Sequence, residues 1–257
     1  MSTPPKNEAP AAGAPAAAIF IGRILYGVYA WTLFLVLALS AVCTAVLPGV
    51  QRRRHAARKA SRMLLRLAGL RLTVKSAEKV PPGQCVIVAN HASYLDGVVF
   101  TAVLPPRFGF VIKREMNRVP LAGLLLRRLG SLFVERANRQ RGANDARRVL
   151  RTALNGSSLV FFPEGTFSPA PGLLKFHVGA FTTAARVGCP IIPAVIRGTR
   201  AVFPMGAFLP RRAHIEVEFL APLVATAASG ERAAIELRDR ARSAILARLQ
   251  EPDLEAA

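Results

Sequence analysis

The stretch CVIVANHASYLD, residues 85–96, joins an apolar run directly to a polar turn. Its first part, Cys85 to Ala89, is a short apolar run of the kind that forms a buried strand. Sites in α/β proteins form where a strand ends and the chain turns into a helix. The polar residues from Asn90 to Asp96 therefore occupy a place in the sheet where binding or catalysis is expected.

The chain on either side repeats this pattern of short apolar runs and amphipathic helical stretches. Further strands are predicted at Leu72–Lys75, Phe108–Ile112, Leu132–Val134, Leu159–Phe162, Ile191–Ile196 and Ile215–Phe219. Helices are predicted at Gly97–Val103, Ala122–Leu129, Asn144–Leu154, Gly179–Val187 and Glu231–Leu249. This alternation predicts an α/β fold in which a sheet is flanked by helices.

A long apolar segment precedes the α/β domain. Ile24 to Val50 carries no charged residue, and as a single helix it would be about 40 Å long, enough to cross a hydrocarbon core of about 30 Å. The segment could instead bend into two short helices within one leaflet. We therefore expect a flexible tail over 1–18, a membrane-anchoring segment with a basic amphipathic helix over 19–71, and the α/β domain over 72–257.

The composition combines a net charge of +20 with 52% hydrophobic residues. That apolar content excludes a disordered polycation, and the charge implies an anionic partner, either nucleic acid or a membrane surface. Basic residues directly follow the apolar segment, at Arg52, Arg53, Arg54, Arg58, Lys59, Arg62, Arg66, Arg71 and Lys75. Their position favours anionic lipid headgroups as the partner over a merely solvated helix face. By the positive-inside rule the α/β domain is cytoplasmic.

His91 and Asp96 are the residues of the opening stretch that can carry chemistry. An aspartate five residues after a histidine can reach it through the loop and the first helical turn. The carboxylate would accept a hydrogen bond from one ring nitrogen and leave the other free as a general base. The alternative is a loop histidine followed by an aspartate that caps the next helix.

Other polar side chains also follow predicted strands. The run PEGT, residues 163–166, places a carboxylate and a hydroxyl around a glycine, which suits hydrogen bonding to a polyol or a simple polar turn. Lys113 and Arg136 each follow an apolar run and could bind a phosphate, unless they are ordinary surface cations. We find no Gly-rich phosphate loop, dinucleotide fingerprint or metal-ligand spacing in the sequence, so no metal or cofactor is expected.

Together and in this order, these segments resemble the glycerolipid acyltransferase family typified by the lysophosphatidic acid acyltransferases, over about Leu72 to Leu223. The resemblance implies a mixed sheet flanked by helices, with His91 and Asp96 as the catalytic dyad of an H-x4-D motif. It implies that Arg136 binds the acceptor's phosphate. The full set of substrate-binding residues would be Lys113, Arg136, Glu164, Gly165 and Thr166. Supporting roles in the motifs would belong to Asn90, Ser93, Pro163 and Pro193.

The reaction implied by this family moves a fatty acyl chain from acyl-CoA or acyl carrier protein to the free hydroxyl of a lysophospholipid. With His91 as base and no Ser or Cys in a nucleophile-elbow pattern, direct attack by the acceptor hydroxyl is simpler than a covalent acyl-enzyme. Two positions depart from the family pattern, because Phe167 replaces a usual arginine and His177 replaces a common lysine. A lyso-aminolipid or a lysophospholipid with a substituted headgroup is therefore an alternative acceptor to lysophosphatidic acid.

Two other functions fit parts of the sequence. A thioesterase or lipid-remodelling enzyme would use the same dyad with water or another alcohol as acceptor. A non-catalytic basic membrane protein would bind anionic lipid or nucleic acid through its charge. Nucleic acid is not the expected partner, because the aromatic residues are mostly phenylalanines within apolar runs. The leading interpretation is a bacterial inner-membrane acyltransferase whose catalytic domain is on the cytoplasmic side.

Overall fold

The apolar runs of the sequence form one seven-stranded sheet in the computed structural model, which describes residues 16–43, 47–135, 139–225 and 230–255. The strands are β1 (Arg71–Lys75), β2 (Val86–Ala89), β3 (Phe108–Lys113), β4 (Leu132–Val134), β5 (Ser158–Phe161), β6 (Ile191–Arg197) and β7 (His214–Phe219). The helices are α1 (Ala16–Cys43), α2 (Val50–Leu67), α3 (Leu95–Val103), α4 (Ala122–Arg128), α5 (Arg139–Leu154), α6 (Gly179–Val187), α7 (Thr199–Val202) and α8 (Glu231–Leu249). Short 3₁₀ turns cover Ala77–Lys79 and Arg114–Arg118.

The sheet has the strand order β1-β7-β6-β2-β5-β3-β4. Every neighbouring pair is parallel except β6 with β7, which is antiparallel. The prediction of a mixed sheet flanked by helices is therefore confirmed. Strands β6, β2, β5, β3 and β4 share one direction, so the residues that follow all five strands emerge at one edge of the sheet. We call this edge the carboxyl edge.

Helices cover both faces of the sheet, which explains why the central strands are mostly apolar and buried on both faces. All four residues of β2 and of β5 are buried. Val86 and Val88 pack on one face among residues of α5, α6 and α8. Ile87 and Ala89 point to the other face and pack among residues of α2 and α3. This alternation, with a period of two, fixes which side of β2 each helix covers.

Over Phe20–Ser40, helix α1 is long enough and apolar enough to cross a membrane. In the most apolar 18-residue window of this stretch, 12% of the residues are buried inside the protein. Helix α1 begins at Ala16, so the last residues assigned to a flexible tail over 1–18 are helical, and residues 1–15 lie outside the described part of the chain. The helix contacts the end of α2 through polar groups. Tyr26 Oη donates to Ala68 O (3.0 Å) and Tyr29 Oη donates to Leu67 O (3.1 Å).

Three basic residues of α2 make contacts within the protein that the sequence did not suggest. Arg62 Nε donates to Ala102 O (2.8 Å) and Arg54 Nε donates to Leu129 O (2.8 Å), while Arg58 also donates to the end of α3. These acceptors lie at the C-terminal ends of α3 and α4, where helix carbonyls lack partners within the helix. Three of the charges assigned to lipid headgroups therefore hold the helices on the sheet instead.

Candidate active site

Two loops meet at the carboxyl edge because the strands that precede them are neighbours. Strand β2 pairs with β5 in parallel, with Val88 opposite Phe161. The loop with His91 follows β2 and the loop with Glu164 follows β5, so both leave the sheet side by side. The backbone N–H of His91 donates to Glu164 Oε1 at 2.6 Å. The two motifs that the sequence placed 73 positions apart thus form one site.

The side chains of His91 and Asp96 are in direct contact. His91 Nδ1 lies 2.7 Å from Asp96 Oδ2, and the histidine side chain is 18% exposed while the aspartate is fully buried. An Nδ1–H that donates to the carboxylate leaves Nε2 as the nitrogen with a free lone pair. The arrangement is that of a general base with its orienting carboxylate.

Asp96 is held in place by the first turn of α3. Its Oδ2 also accepts hydrogen bonds from the backbone N–H groups of Ala92 (2.7 Å) and Ser93 (2.9 Å). The aspartate lies in the first turn of α3 and does not cap that helix; with one oxygen it binds both the turn before α3 and the histidine. Three donors on one oxygen fix the carboxylate, and through it the plane of the His91 ring.

Aromatic rings surround the His91 imidazole. Phe162 stacks on it with ring centroids 4.4 Å apart and planes 18° apart, and Phe167 contacts it edge-on at 4.6 Å. Tyr94 packs on the far side of Phe167 at 4.8 Å. Phe167 is 6% exposed, so the position where the family pattern has an arginine holds a buried ring against His91. Sequence reasoning noted the missing cation but did not predict this apolar wall.

Glu164 is a positioning residue in this structure. It is 4% exposed, and its Oε2 accepts a hydrogen bond from the backbone N–H of Leu174 (2.9 Å) while Oε1 accepts from His91. Burial raises the pKa of the Glu164 carboxyl from 4.5 to about 7, although the two N–H donors oppose that shift. Each oxygen accepts a hydrogen bond from the backbone, so Glu164 holds the two loops together, and the substrate-binding role expected from the sequence stays a prediction.

The Glu164 carboxyl should make stability depend on pH. Between its unfolded pKa of 4.5 and its folded pKa of about 7 the folded state binds more protons, so its contribution to the free energy of unfolding falls as pH rises through this window. Glu164→Gln should lack this fall when unfolding is measured from about pH 4.5 to about pH 7. The exposed Glu231→Gln is the matched control and should follow the wild type. A wild-type slope that persists in Glu164→Gln would contradict the assignment.

Asn90 and Ser93 hold the loop that carries His91. The Asn90 side chain donates to Ile196 O (2.9 Å) and accepts from Ile196 N (2.8 Å), which fastens the end of β2 to β6. Ser93 Oγ donates to Phe203 O (2.8 Å) and accepts from Leu95 N (3.2 Å). Both side chains are buried, so they support the loop, whereas His91 is partly exposed.

The loop after β5 owes its shape to Pro163 and Gly165. Pro163 O accepts a hydrogen bond from His177 N (2.9 Å). Gly165 has φ of +76°, a conformation that side chains with a Cβ rarely adopt, and it presents Thr166 at the exposed surface of the loop. Pro193 lies within β6, opposite Val88, and its carbonyl accepts from Leu220 N (2.8 Å).

The predicted phosphate-binding cations lie farther along the carboxyl edge. Lys113 ends β3, two strands from β2, which corresponds to about 10 Å at the usual strand spacing. Its side chain is 50% exposed and pairs with Glu115 at 3.4 Å. Arg136 lies outside the described residues, directly after Glu135. Among the described residues, no group of three His, Cys, Asp or Glu side chains could hold a metal ion.

A buried ion pair that the sequence did not reveal fixes the end of β4. Arg114 Nη2 donates to both carboxylate oxygens of Asp145, at 2.7 and 2.5 Å, and Asp145 is 3% exposed. The same carboxylate accepts from the backbone N–H of Glu135 (3.0 Å). This network positions the chain immediately before Arg136. The only sequence signal was one acid, Asp145, among the arginines of a helical pattern.

Comparison with known proteins identifies the group to which this site belongs. A family model described as Acyltransferase matches residues 71–197. The 1-acyl-sn-glycerol-3-phosphate acyltransferase alpha of Homo sapiens is 33% identical over 188 residues, which are 71% of this chain and 64% of that protein. The 1-acyl-sn-glycerol-3-phosphate acyltransferase of Haemophilus influenzae is 32% identical over a region that covers 49% of this chain and 55% of that protein. A chloroplastic relative from Brassica napus, BAT2, carries the same activity in its name and is 31% identical over 52% of this chain and 39% of its own.

The matched regions span between 39% and 64% of these relatives. The crystal structure of PlsC, the 1-acyl-sn-glycerophosphate acyltransferase of Thermotoga maritima, superposes with a TM-score of 0.74 at 21% identity, over 89% of this chain and 95% of that one. That likeness confirms the fold. Residues 71–197 contain the H-x4-D pair and the PEGT loop at the carboxyl edge, and they form a domain of the glycerolipid acyltransferase family.

Proposed function

We propose that the protein is an O-acyltransferase that moves a fatty acyl chain from a thioester, acyl-CoA or acyl carrier protein, to the free hydroxyl of a lysophospholipid. The observation that carries this proposal is the contact between His91 and Asp96, which leaves Nε2 available at the carboxyl edge. The relatives named as 1-acyl-sn-glycerol-3-phosphate acyltransferases support lysophosphatidic acid as the acceptor and phosphatidic acid as the product.

The proposed chemistry needs one base and no covalent intermediate. His91 Nε2 takes the proton of the acceptor hydroxyl as that oxygen attacks the thioester carbonyl. The carbon–sulfur bond then breaks, the thiolate takes the proton from the imidazolium, and an ester and a free thiol leave. Asp96 keeps Nδ1–H in place and stabilises the imidazolium between these steps.

Three described nucleophilic side chains are unsuited to form an acyl-enzyme, and two of them, Cys85 and Cys189, precede β2 and β6 at the edge of the sheet opposite His91. Ser93 is fully buried, and its Oγ is occupied by Phe203 O and Leu95 N. Burial raises the pKa of the Cys85 thiol to about 11, and burial raises the pKa of Cys189 as well. A thiol with a raised pKa is a poor nucleophile. An acyl-enzyme therefore has no candidate side chain among these residues.

A second acceptor class is favoured by the Phe167 ring. An uncharged, buried ring contacts His91 where the family pattern has an arginine, so one cation that would face an acceptor phosphate is missing. A lyso-aminolipid, or a lysophospholipid whose phosphate carries a substituent, needs less positive charge at this point. We propose this class as the alternative to lysophosphatidic acid.

Membrane attachment is part of the proposal. Helix α1 supplies the apolar length, and the basic residues after it support a catalytic domain on the cytoplasmic side of a bacterial inner membrane. Because the acceptor is itself a membrane lipid, an enzyme held at the bilayer would meet it without extracting it into water.

A lysolipid panel tests the proposed function. The purified protein is incubated with either donor and with lysophosphatidic acid, substituted lysophospholipids or a lyso-aminolipid, and the products are read by mass spectrometry. We expect an acylated lipid and a free thiol in equal amounts, with the preferred acceptor showing the highest kcat/KM. Release of free fatty acid without acylated lipid would show a thioesterase instead, and no turnover with any pair would contradict enzymatic function.

A further inference from the structure

A pocket lies between α1 and the loop that leads into β7. Its volume is about 410 Å³, and it is lined by Gly22, Arg23, Tyr26, Pro210, Arg211 and Arg212. The first three residues belong to one face of α1, and the last three are consecutive in the loop. None of its lining residues belongs to the carboxyl-edge loops that hold His91 and Glu164.

The charge of this pocket is entirely positive. Three of its six lining residues are arginines and none is acidic. Arg23, Arg211 and Arg212 form no ion pair with any residue that the structure describes, whereas Arg242 pairs with Asp253. The Arg212 guanidinium lies over the Tyr26 ring, 4.9 Å from its centroid. Unpaired guanidinium groups around one concave space are suited to an anion, and above all to a phosphate that accepts two parallel N–H bonds.

Exposed apolar side chains are neighbours along the chain of the residues that line the pocket. Phe20, Ile21 and Leu25 of α1 are 63%, 55% and 66% exposed, and Phe208 of the loop is 87% exposed. The loop is held to the helix, because Trp31 Nε1 donates to Phe208 O at 2.6 Å. Arginines beside exposed aromatic and aliphatic side chains are typical of a surface that enters the headgroup region of a membrane.

We propose that this pocket binds the phosphate-bearing headgroup of an anionic phospholipid of the membrane, with the lipid's acyl chains beside Phe208 and the exposed residues of α1. The inference rests on the proposed membrane association but not on acyl transfer. It also differs from the general attraction of a basic surface, because it assigns the binding to a defined pocket. Arg54, Arg58 and Arg62 of the basic segment are already bound to helix carbonyls and contribute less to such contacts.

The chain's single tryptophan, Trp31, allows a direct test because it contacts the loop that forms the pocket. Full-length protein in neutral detergent micelles is titrated with brominated phosphatidylglycerol or brominated phosphatidylcholine, and quenching of Trp31 fluorescence is followed. We expect the anionic lipid to quench at a concentration lower by about fivefold or more, since each arginine at a membrane surface adds roughly that factor. Equal quenching by both lipids would overturn the proposal.

Matched variants separate the pocket from the overall charge. Arg211→Gln/Arg212→Gln should remove the preference for the anionic lipid. The control Arg186→Gln/Arg232→Gln removes the same charge from α6 and α8, on the opposite face of the sheet, and should keep the preference. Loss of the preference in both variants would show long-range attraction and would contradict a pocket.

Two further arms keep the test decisive. If circular dichroism shows that the double pocket variant is unfolded, the single variant Arg23→Gln at the exposed face of α1 should still weaken the preference by about fivefold. Unchanged preference in that variant would overturn the proposal. Inorganic phosphate at constant ionic strength should leave quenching by phosphatidylglycerol unchanged. If inorganic phosphate abolished this quenching, the pocket would be a site for the free ion and not for a lipid.

Discussion

Replacing His91 with alanine should lower the kcat of acyl transfer by about 10² to 10⁴, the usual contribution of a positioned general base. The reason is the loss of Nε2, the nitrogen that would take the acceptor's proton, while the walls formed by Phe162 and Phe167 stay in place. The KM values for donor and acceptor should change little, because the missing interaction acts in the transition state. Initial rates over both substrates, read by mass spectrometry, measure the two parameters separately.

The control for this prediction is His55→Ala, which removes an exposed histidine of α2. Its rate should equal that of the wild type. A His91→Ala protein with the wild-type kcat, and with the wild-type circular dichroism spectrum, would exclude His91 as the base. A rise in KM with an unchanged kcat would instead assign His91 to binding.

Replacing Asp96 with asparagine should lower kcat by a similar order, about 10² to 10⁴, although the shape of the side chain is kept. Asp96 Oδ2 accepts from His91 Nδ1 and from two backbone N–H groups. An asparagine oxygen can still accept from these donors, but it carries no charge to stabilise the imidazolium. Loss of rate without loss of stability is therefore the expected signature, measured as kcat beside the free energy of unfolding.

Two comparisons sharpen this result. Asp96→Ala leaves the buried N–H groups of Ala92 and Ser93 without their acceptor, so it should also lower the free energy of unfolding by about 1 to 3 kcal/mol for each unpaired group. Asp239→Asn, at an exposed site on α8, should match the wild type in both measurements. An Asp96→Asn protein with full activity would mean that the carboxylate serves only as the cap of the turn before α3.

The secondary structure could largely be predicted from the sequence because it depends on local patterns. Leu132–Val134, Gly179–Val187 and Glu231–Leu249 have the bounds that were predicted. The strand order could not be predicted in the same way. Strand β1 pairs with β7, joining Arg71 to His214, and β7 runs against β6, so the edge of the sheet depends on contacts between distant segments.

The motifs of the site could be found in the sequence, but the directions of their side chains could not. His91 and Asp96 are five residues apart, and the turn between them sets their contact. Glu164 and Arg54 instead find their partners across the fold, and each uses its polar atoms on backbone groups rather than on a ligand or a lipid. The position of a titratable residue in a motif therefore predicts the location of a site. It does not predict the hydrogen-bond partners of that residue.

The hydrogen bond from Ser93 Oγ to Phe203 O has a further meaning for a lipid substrate. Phe203 also packs edge-on against Trp31 of α1, with centroids 5.9 Å apart. A chain of contacts through Phe203 thus connects Trp31 of α1 to the loop that carries His91. With α1 in the membrane as proposed, the imidazole would lie at a fixed height above the bilayer, and an acceptor held in the membrane by its own acyl chain would react when its hydroxyl reaches that height. The enzyme would in this way select an acceptor by the distance of its hydroxyl from the bilayer as well as by its charge.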